Sequence, residues 1–237
     1  YLIVTTFFFA AALVRLKLTE TLQTERDERV SLKGAIKAYP KAVKEGLTVW
    51  RHVPRSMIFL FLSNAISSFV FFMFFPYLLV YATDVLGIQE FEWALLMTLT
   101  TGVMMLFALP SGKLADRIGR KMPLFVSWVL LAPFSLLFLY GDLLRLFVGY
   151  LLLGLSNALF TAGYFALQAD LVPRELRGKV VGCSHFIENI LMGSGELIGG
   201  FLYQFVSPTF PLILGVIVNI PCALMTLFLI NEPKTRE

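Results

Sequence analysis

His185, Glu188, Met192 and Glu196 recur at steps of three, four and four inside one apolar run, 180–204, which places them on a single helical face. Two carboxyls and an imidazole at that spacing suit the uptake and release of a proton. If the run is centred near Leu191, Glu188 lies three residues from its middle and Glu196 five. An ionised carboxylate at such depth in a bilayer costs roughly 2.5–3.5 kcal/mol, so desolvation favours the protonated form. A group of this kind can load a proton from one side and discharge it to the other. His185, one turn from Glu188, is placed to relay it. The structural alternative is a carboxyl that stays neutral, or paired with a cation, and only holds helices together.

A second polar stripe, Asn157, Thr161, Tyr164 and Gln168, falls at steps of four, three and four within the run 143–168. The run 57–82 adds Asn64, Ser67, Ser68, Phe71 and Phe75 at comparable spacing. Such stripes waste hydrogen-bonding groups in lipid and belong against protein or a watery cavity. They serve helix packing, at about 0.6 kcal/mol per bond, or contact with a small-molecule substrate, for which Asn157 and Gln168 are the better placed. The runs 122–140 and 209–230 carry little beyond Ser127, Ser135, Asn219 and Thr226. Aromatic and methionine faces (Phe71, Phe75, Met104, Met105, Met192) beside only two acids within the runs suit contact with apolar or cationic compounds.

The elements that must position these residues follow from composition. The chain of 237 residues is 57% hydrophobic and 15% charged, against about 25% charged for a soluble domain, and its mean hydropathy is +0.77. Six runs, 57–82, 93–110, 122–140, 143–168, 180–204 and 209–230, are long enough to cross a hydrocarbon core, which takes about 20 helical residues. They do not alternate as barrel strands do, so the expectation is an all-α six-helix membrane bundle. The stretch 1–14 is too short to span and does not begin with Met; it is expected to be the end of a helix that starts upstream.

If the six runs alternate, 19 of the 20 basic residues fall on one side. The opposite connections hold Asp84, Glu90, Glu92 and Asp142, with Arg145 the lone cation. The positive-inside rule makes the basic side, with the carboxy terminus, cytoplasmic. It also accounts for a sequence pI near 9.1 without nucleic acid. Cys183 and Cys222 stand apart with no metal-ligand spacing, and no serine–histidine, paired-aspartate or His-Glu-x-x-His pattern occurs. Neither a cofactor nor a catalytic activity is expected.

Between the second and third runs lies Gly112-Lys113-Leu114-Ala115-Asp116-Arg117-Ile118-Gly119-Arg120-Lys121. This reads as a tight loop in which Gly112 and Gly119 permit a sharp turn and Asp116 caps a helix start or pairs with neighbouring arginines. The stretch resembles the Gly-x-Leu-Ala-Asp-Arg-x-Gly-Arg-Lys signature of major facilitator superfamily transporters. Asp170-Leu171-Val172-Pro173-Arg174-Glu175-Leu176-Arg177-Gly178 is similar to that family's loop between helices 10 and 11. Gly193-Ser194-Gly195-Glu196-Leu197-Ile198-Gly199-Gly200 is similar to its glycine-rich helix 11, with Glu196 where a small residue or proline is more usual.

The resemblance implies the carboxy-terminal half of a twelve-helix transporter: residues 1–14 the end of helix 6, 15–55 a cytoplasmic linker, and 56–237 helices 7–12 as two inverted three-helix repeats. It implies that helices 7 and 10 line the transport path while 9 and 12 face lipid. It also implies that Asp116, Arg117, Arg120 and Lys121 lock the two halves together, so the amino-terminal half is a partner. In the linker, Leu32, Ile36, Tyr39, Val43, Leu47 and Trp50 form an apolar stripe beside Lys33, Lys37, Lys41 and Lys44, the pattern of a helix lying on the bilayer surface, with Pro40 expected to kink or divide it. The expected function is proton-coupled transport of a small molecule across the plasma membrane by alternating access, of the multidrug-efflux type. The alternatives are a metabolite or sugar symporter or uniporter on the same fold, and a membrane sensor that does not transport.

Overall fold

The structure, a computed structural model, describes residues 2–15 and 32–233. The linker cations Lys17, Arg26 and Arg29 and the tail cations Lys234 and Arg236 lie outside the described residues. Two compact units divide the chain, residues 1–41 and 42–237. The first holds α1 (Leu2–Arg15) and the start of α2 (Leu32–Thr48). At 14 residues α1 is about 21 Å long, short of a bilayer crossing. Pro40 lies inside α2, whose helical residues continue on both sides, so of the expected kink or division it does not bring about the division.

The second unit contains α3 (Arg55–Phe74), α4 (Leu78–Asp84), α5 (Glu90–Ile118), α6 (Lys121–Leu139), α7 (Leu143–Leu171), α8 (Arg174–Phe205) and α9 (Phe210–Leu229). A 3-10 turn at Phe75–Tyr77, with Pro76 in its first positions, joins α3 to α4 within the first span. Five of the six expected crossings are long and apolar enough to span a membrane: Arg55–Asp84, α5, α6, α7 and α9. The exception is α8, which is 32 residues long but too polar to qualify on composition. His185, Glu188, Asn189 and Glu196 dilute its apolar content. Even so, it runs beside α3 for the depth of the bundle. Cys183 accepts a hydrogen bond from Trp50 Nε1 at 3.4 Å, Gly195 abuts the Phe69 carbonyl, and Tyr203 stacks on Tyr77 at 5.5 Å.

The helices pair by a simple rule. α3 packs on α8 and α9, α7 packs on α5 and α6, and α6 packs on α9. Exchanging α3 with α7, α5 with α8 and α6 with α9 leaves that set unchanged. Two three-helix repeats thus embrace each other, and because three crossings reverse direction, the repeats are inverted. Matching hydrogen bonds mark the symmetry: Ser67 Oγ of α3 donates to Asn219 Oδ1 of α9 at 2.8 Å, and Ser156 Oγ of α7 donates to the Ser127 carbonyl of α6 at 2.9 Å. All four of these residues are buried.

The ends of the bundle differ in charge as the loop count predicts. Some 26 residues of α5, about 39 Å of helix, separate Glu90, close to Asp84, from Asp116 at the other end. One correction concerns the signature segment. α5 continues through Pro110 as far as Ile118, so Gly112, Asp116 and Arg117 are helical and only Gly119 and Arg120 form the turn. Gly119 adopts φ +98°, a conformation costly for residues with a side chain.

Candidate functional site

Three helices bring their polar residues to one point. Glu188 of α8 is 8% exposed, Asn64 of α3 6% and Tyr164 of α7 1%. Glu188 Oε1 accepts from Asn64 Nδ2 at 2.7 Å and from Tyr164 Oη at 3.1 Å. Hydrogen bonds to a charged group are worth about 1.5–3 kcal/mol each, and two on one oxygen offset part of the cost of burying the carboxylate. Tyr164 is held in turn by an aromatic column. Its ring stacks on Phe160 at 4.9 Å and 12°, and Phe160 meets Trp128 of α6 edge-on at 5.5 Å.

Why these helices meet here is local. Gly195 and Gly199, four apart on α8, have no side chain to hold the helices apart, so α8 reaches the backbone of α3 at Phe69 and Met73. That close approach carries Glu188, two turns nearer the helix start, against Asn64.

Beside this cluster lies a cavity of about 170 Å³ between α3, α6 and α7. Asn64, Ser67, Ser68 and Phe71 line it from α3, Ser127, Trp128 and Leu131 from α6, and Ser156, Asn157 and Phe160 from α7. Asn64 therefore borders the cavity and holds Glu188 at once. Trp128 is 4% exposed, and its Nε1 is buried with no hydrogen-bond partner among the described residues.

The predicted site residues separate accordingly. Asn64, Tyr164 and Glu188 converge; Asn157 is half-buried on the cavity wall. Gln168 is buried elsewhere on α7, its Nε2 without a partner among the described residues. His185 and Glu196 are exposed, so the four-residue face of α8 divides: Glu188 turns to α3 and α7, and the expected relay from His185 to it is not formed. The contribution of α6 and α9 went unforeseen. They keep outward apolar faces, with Val129 and Leu136 on α6 and Ile217 and Phe228 on α9 exposed, and bury Ser127, Trp128, Ser135, Asn219 and Thr226 against the other helices. One signal was available for Trp128, which sits in mid-span rather than at the interface where tryptophans gather.

The cationic end forms a second cluster. Arg120 makes an ion pair with Asp170 at the end of α7 and donates to the Ala166 carbonyl at 2.7 Å. Arg177 donates to the Ala169 carbonyl at 2.5 Å. Glu232, beyond α9, accepts from the backbone N–H of Lys121, the first residue of α6, and crowds Gly119 so closely that a Cβ there would lie 2.8 Å from its Oε2. The Asn231 N–H donates to Ser56 Oγ at 3.1 Å. Four connections, before α3, between α5 and α6, between α7 and α8, and after α9, are thus gathered at one end. Asp116 and Arg117 are exposed in the last turn of α5. Asp116 is therefore not at a helix start, and the capping role read from the sequence is withdrawn. Nothing in the spacing pointed to Glu232 or Ser56.

Comparison with known proteins follows the same lines. Over 127 residues, 52% of this chain and 31% of the relative, it is 30% identical to an MFS-type transporter of Methanocaldococcus jannaschii. Over 160 residues, 67% of this chain and 41% of the relative, it is 28% identical to the quinolone resistance protein NorA of Staphylococcus aureus. The matches thus span less than half the length of these relatives. Residues 60–237 match the sequence profile of the Major Facilitator Superfamily, and with its inverted six-helix bundle the chain belongs to that family.

Proposed function

We propose that this chain is the carboxy-terminal half of a secondary active transporter that moves a small molecule across the plasma membrane by alternating access, with a proton as coupling ion and efflux as direction. The observation that carries the reading is Glu188, a buried carboxylate whose two hydrogen-bond donors come from two other helices. A relative rotation of α8 against α3 and α7 would separate it from Asn64 and Tyr164, expose it to water and change its affinity for a proton. α3 has no acidic or basic side chain beyond Arg55, and α9 has none. Among the described residues, the titratable group hydrogen-bonded to Glu188 is Tyr164; Arg51 and His52 stand on the short turn that packs against the start of α8, and His185 on α8 itself. Glu196 and His185 are exposed on the face open to an amino-terminal half, where they serve as secondary proton or cation contacts. Efflux is favoured by the apolar and aromatic lining and by the similarity to a quinolone resistance protein.

The end of the bundle that holds Arg120, Arg177 and Lys179 is cytoplasmic, carboxy terminus included, a reading supported by the sequence count that assigns 19 of 20 cations to alternate connections. There Asp116 and Arg117, exposed at the end of α5, are placed to engage the amino-terminal half and hold the outward-facing state, while Gly119, Arg120 and Lys121 fix the turn that presents them.

The test is quinolone uptake into everted membrane vesicles, driven by an imposed pH gradient, with Glu188→Gln. The amide keeps an acceptor for Asn64 and Tyr164 but cannot ionise. Gradient-driven accumulation should fall about tenfold or more while exchange of quinolone at equal concentrations persists. Undiminished accumulation would remove Glu188 from the coupling role.

A further inference from the structure

We infer that Trp50 is the gate through which water from the cationic end reaches Glu188, an indole wedged into the seam between α3 and α8. The seam is closed differently on the two sides of the Asn64–Glu188 hydrogen bond. Beyond that bond, towards the opposite end, the closure is backbone. A Cβ on Gly195 would lie 2.5 Å from the Phe69 carbonyl oxygen, and one on Gly199 would overlap the Met73 carbonyl. Further along, the rings of Tyr77 and Tyr203 stack at 5.5 Å. Helices that touch at their main chains part only by moving as whole bodies. Before the bond, towards the cationic end, the seam is closed by a side chain that belongs to neither helix. Trp50, on the 3-10 turn Val49–His52, packs its ring on Phe61 of α3 at 4.7 Å and donates its N–H to Cys183 Sγ of α8 at 3.4 Å. Phe61 stands three residues before Asn64, about 4.5 Å of helix rise, and Cys183 five before Glu188, about 7.5 Å. The indole thus sits about one turn below the carboxyl. Its approach is fixed, since Val49 is buried, Gly46 lies against Cys183, and Glu45 pairs with Lys179 at 3.1 Å. Trp50 itself is half-buried, and its hydrogen bond is to sulfur, a weak acceptor. A rotamer change can withdraw it, a far faster motion than a helix shift. That the admitted water carries a coupling proton rests on the transporter reading; the gate itself does not.

The test labels carboxyls with a water-soluble carbodiimide and taurine, and cysteines with a maleimide, in vesicles carrying the whole chain; mass spectrometry reads each residue. Everted vesicles present the cationic end to the reagents. There Trp50→Ala should label Glu188 and Cys183 about tenfold faster than the unaltered chain. Trp50→Phe, which keeps a ring on Phe61, should bring Glu188 back to within about threefold of it. Glu175, exposed at the start of α8, should label at one rate throughout. Cys222, 1% exposed on α9, should stay unlabelled and so report an intact bundle. Phe61→Leu keeps apolar bulk and removes the ring on which Trp50 rests; it should speed Glu188 labelling severalfold, and it carries the same test if the alanine variant unfolds. Glu188 labelling that neither Trp50→Ala nor Phe61→Leu raises would overturn the gate. So would equal acceleration from the opposite end, in right-side-out vesicles, or a Glu188 that labels as fast as Glu175 in the unaltered chain. No substrate or gradient enters these readouts, so the gate and the coupling role tested with Glu188→Gln can fail separately.

Discussion

α5 and α8 occupy equivalent places in the two repeats, each packed on the first helix of the other repeat, yet they are chemically unlike. Between its charged ends α5 is apolar apart from threonines and Ser111, and it buries only Leu96, Ser111 and Ala115, while Met105, Leu106 and Leu109 face outward. Its close contact depends on a glycine of its partner: Gly154 of α7 lies under Thr100 and Val103. α8 brings its own glycines, Gly195 and Gly199, to the backbone of α3, buries a carboxylate, and leaves His185, Asn189 and Glu196 exposed. Exposed acids and amides are costly in hydrocarbon, so that face of α8 must meet protein or water, whereas the outer face of α5 is suited to lipid. The scaffold is symmetric, and the chemistry is loaded on one side of it.

Substitutions can probe both the shared scaffold and the unequal chemistry. The largest expected loss comes from the tie between the repeats at the charged end. Asp170→Ala leaves Arg120, 18% exposed at its side chain, without its counter-charge, and should destabilise the bundle by about 3 kcal/mol. Thermal unfolding in detergent would show it, and a shift no larger than that of a surface alanine would mean the ion pair is idle.

Next come the glycines. A methyl group at Gly199 would overlap the Met73 carbonyl, while one at Gly154 would stand 2.7 Å from the Thr100 oxygen. Both alanine variants should lose about 1–3 kcal/mol, Gly199→Ala the more. The reverse order would make the α5 interface the tighter one. Gly102 of α5, where an added methyl group would meet nothing within 4 Å, is the control; Gly102→Ala should gain about 0.4–1 kcal/mol.

Removing the acceptor at the start of α6 is a smaller change. Glu232→Ala frees the Lys121 amide and should cost about 1 kcal/mol, read as a small drop in melting temperature and faster amide exchange in the first turn of α6. Smallest of all, Glu196→Gln alters an exposed carboxyl and should change gradient-driven flux less than twofold, against the about tenfold loss expected for Glu188→Gln. Equal effects would mean that burial does not distinguish the two acids.

Much of this was legible in the residues themselves. Hydrophobic run length fixes helix number and approximate bounds, because a bilayer imposes one length on every crossing. Lys and Arg placement orders the ends. The steps of three and four among Asn157, Thr161, Tyr164 and Gln168, and between His185 and Glu188, identify polar helix faces. Those steps do not say how far a face is buried, and so Glu188 and Glu196 looked alike.

Local sequence marked Gly112 and Gly119 alike as turn residues; only Gly119 is one, at φ +98°, which residues with a side chain rarely adopt. It could not settle that α5 would run on through Gly112 to Ile118, because nothing local stops a helix there. Which carboxyl meets Asn64 and Tyr164, whether Trp128 faces lipid or a cavity, and which acid caps Lys121 were decided by contacts between residues 24 to 124 positions apart. Periodicity is a property of one helix. Burial and partnership are properties of the packing between helices, and only the folded bundle sets them.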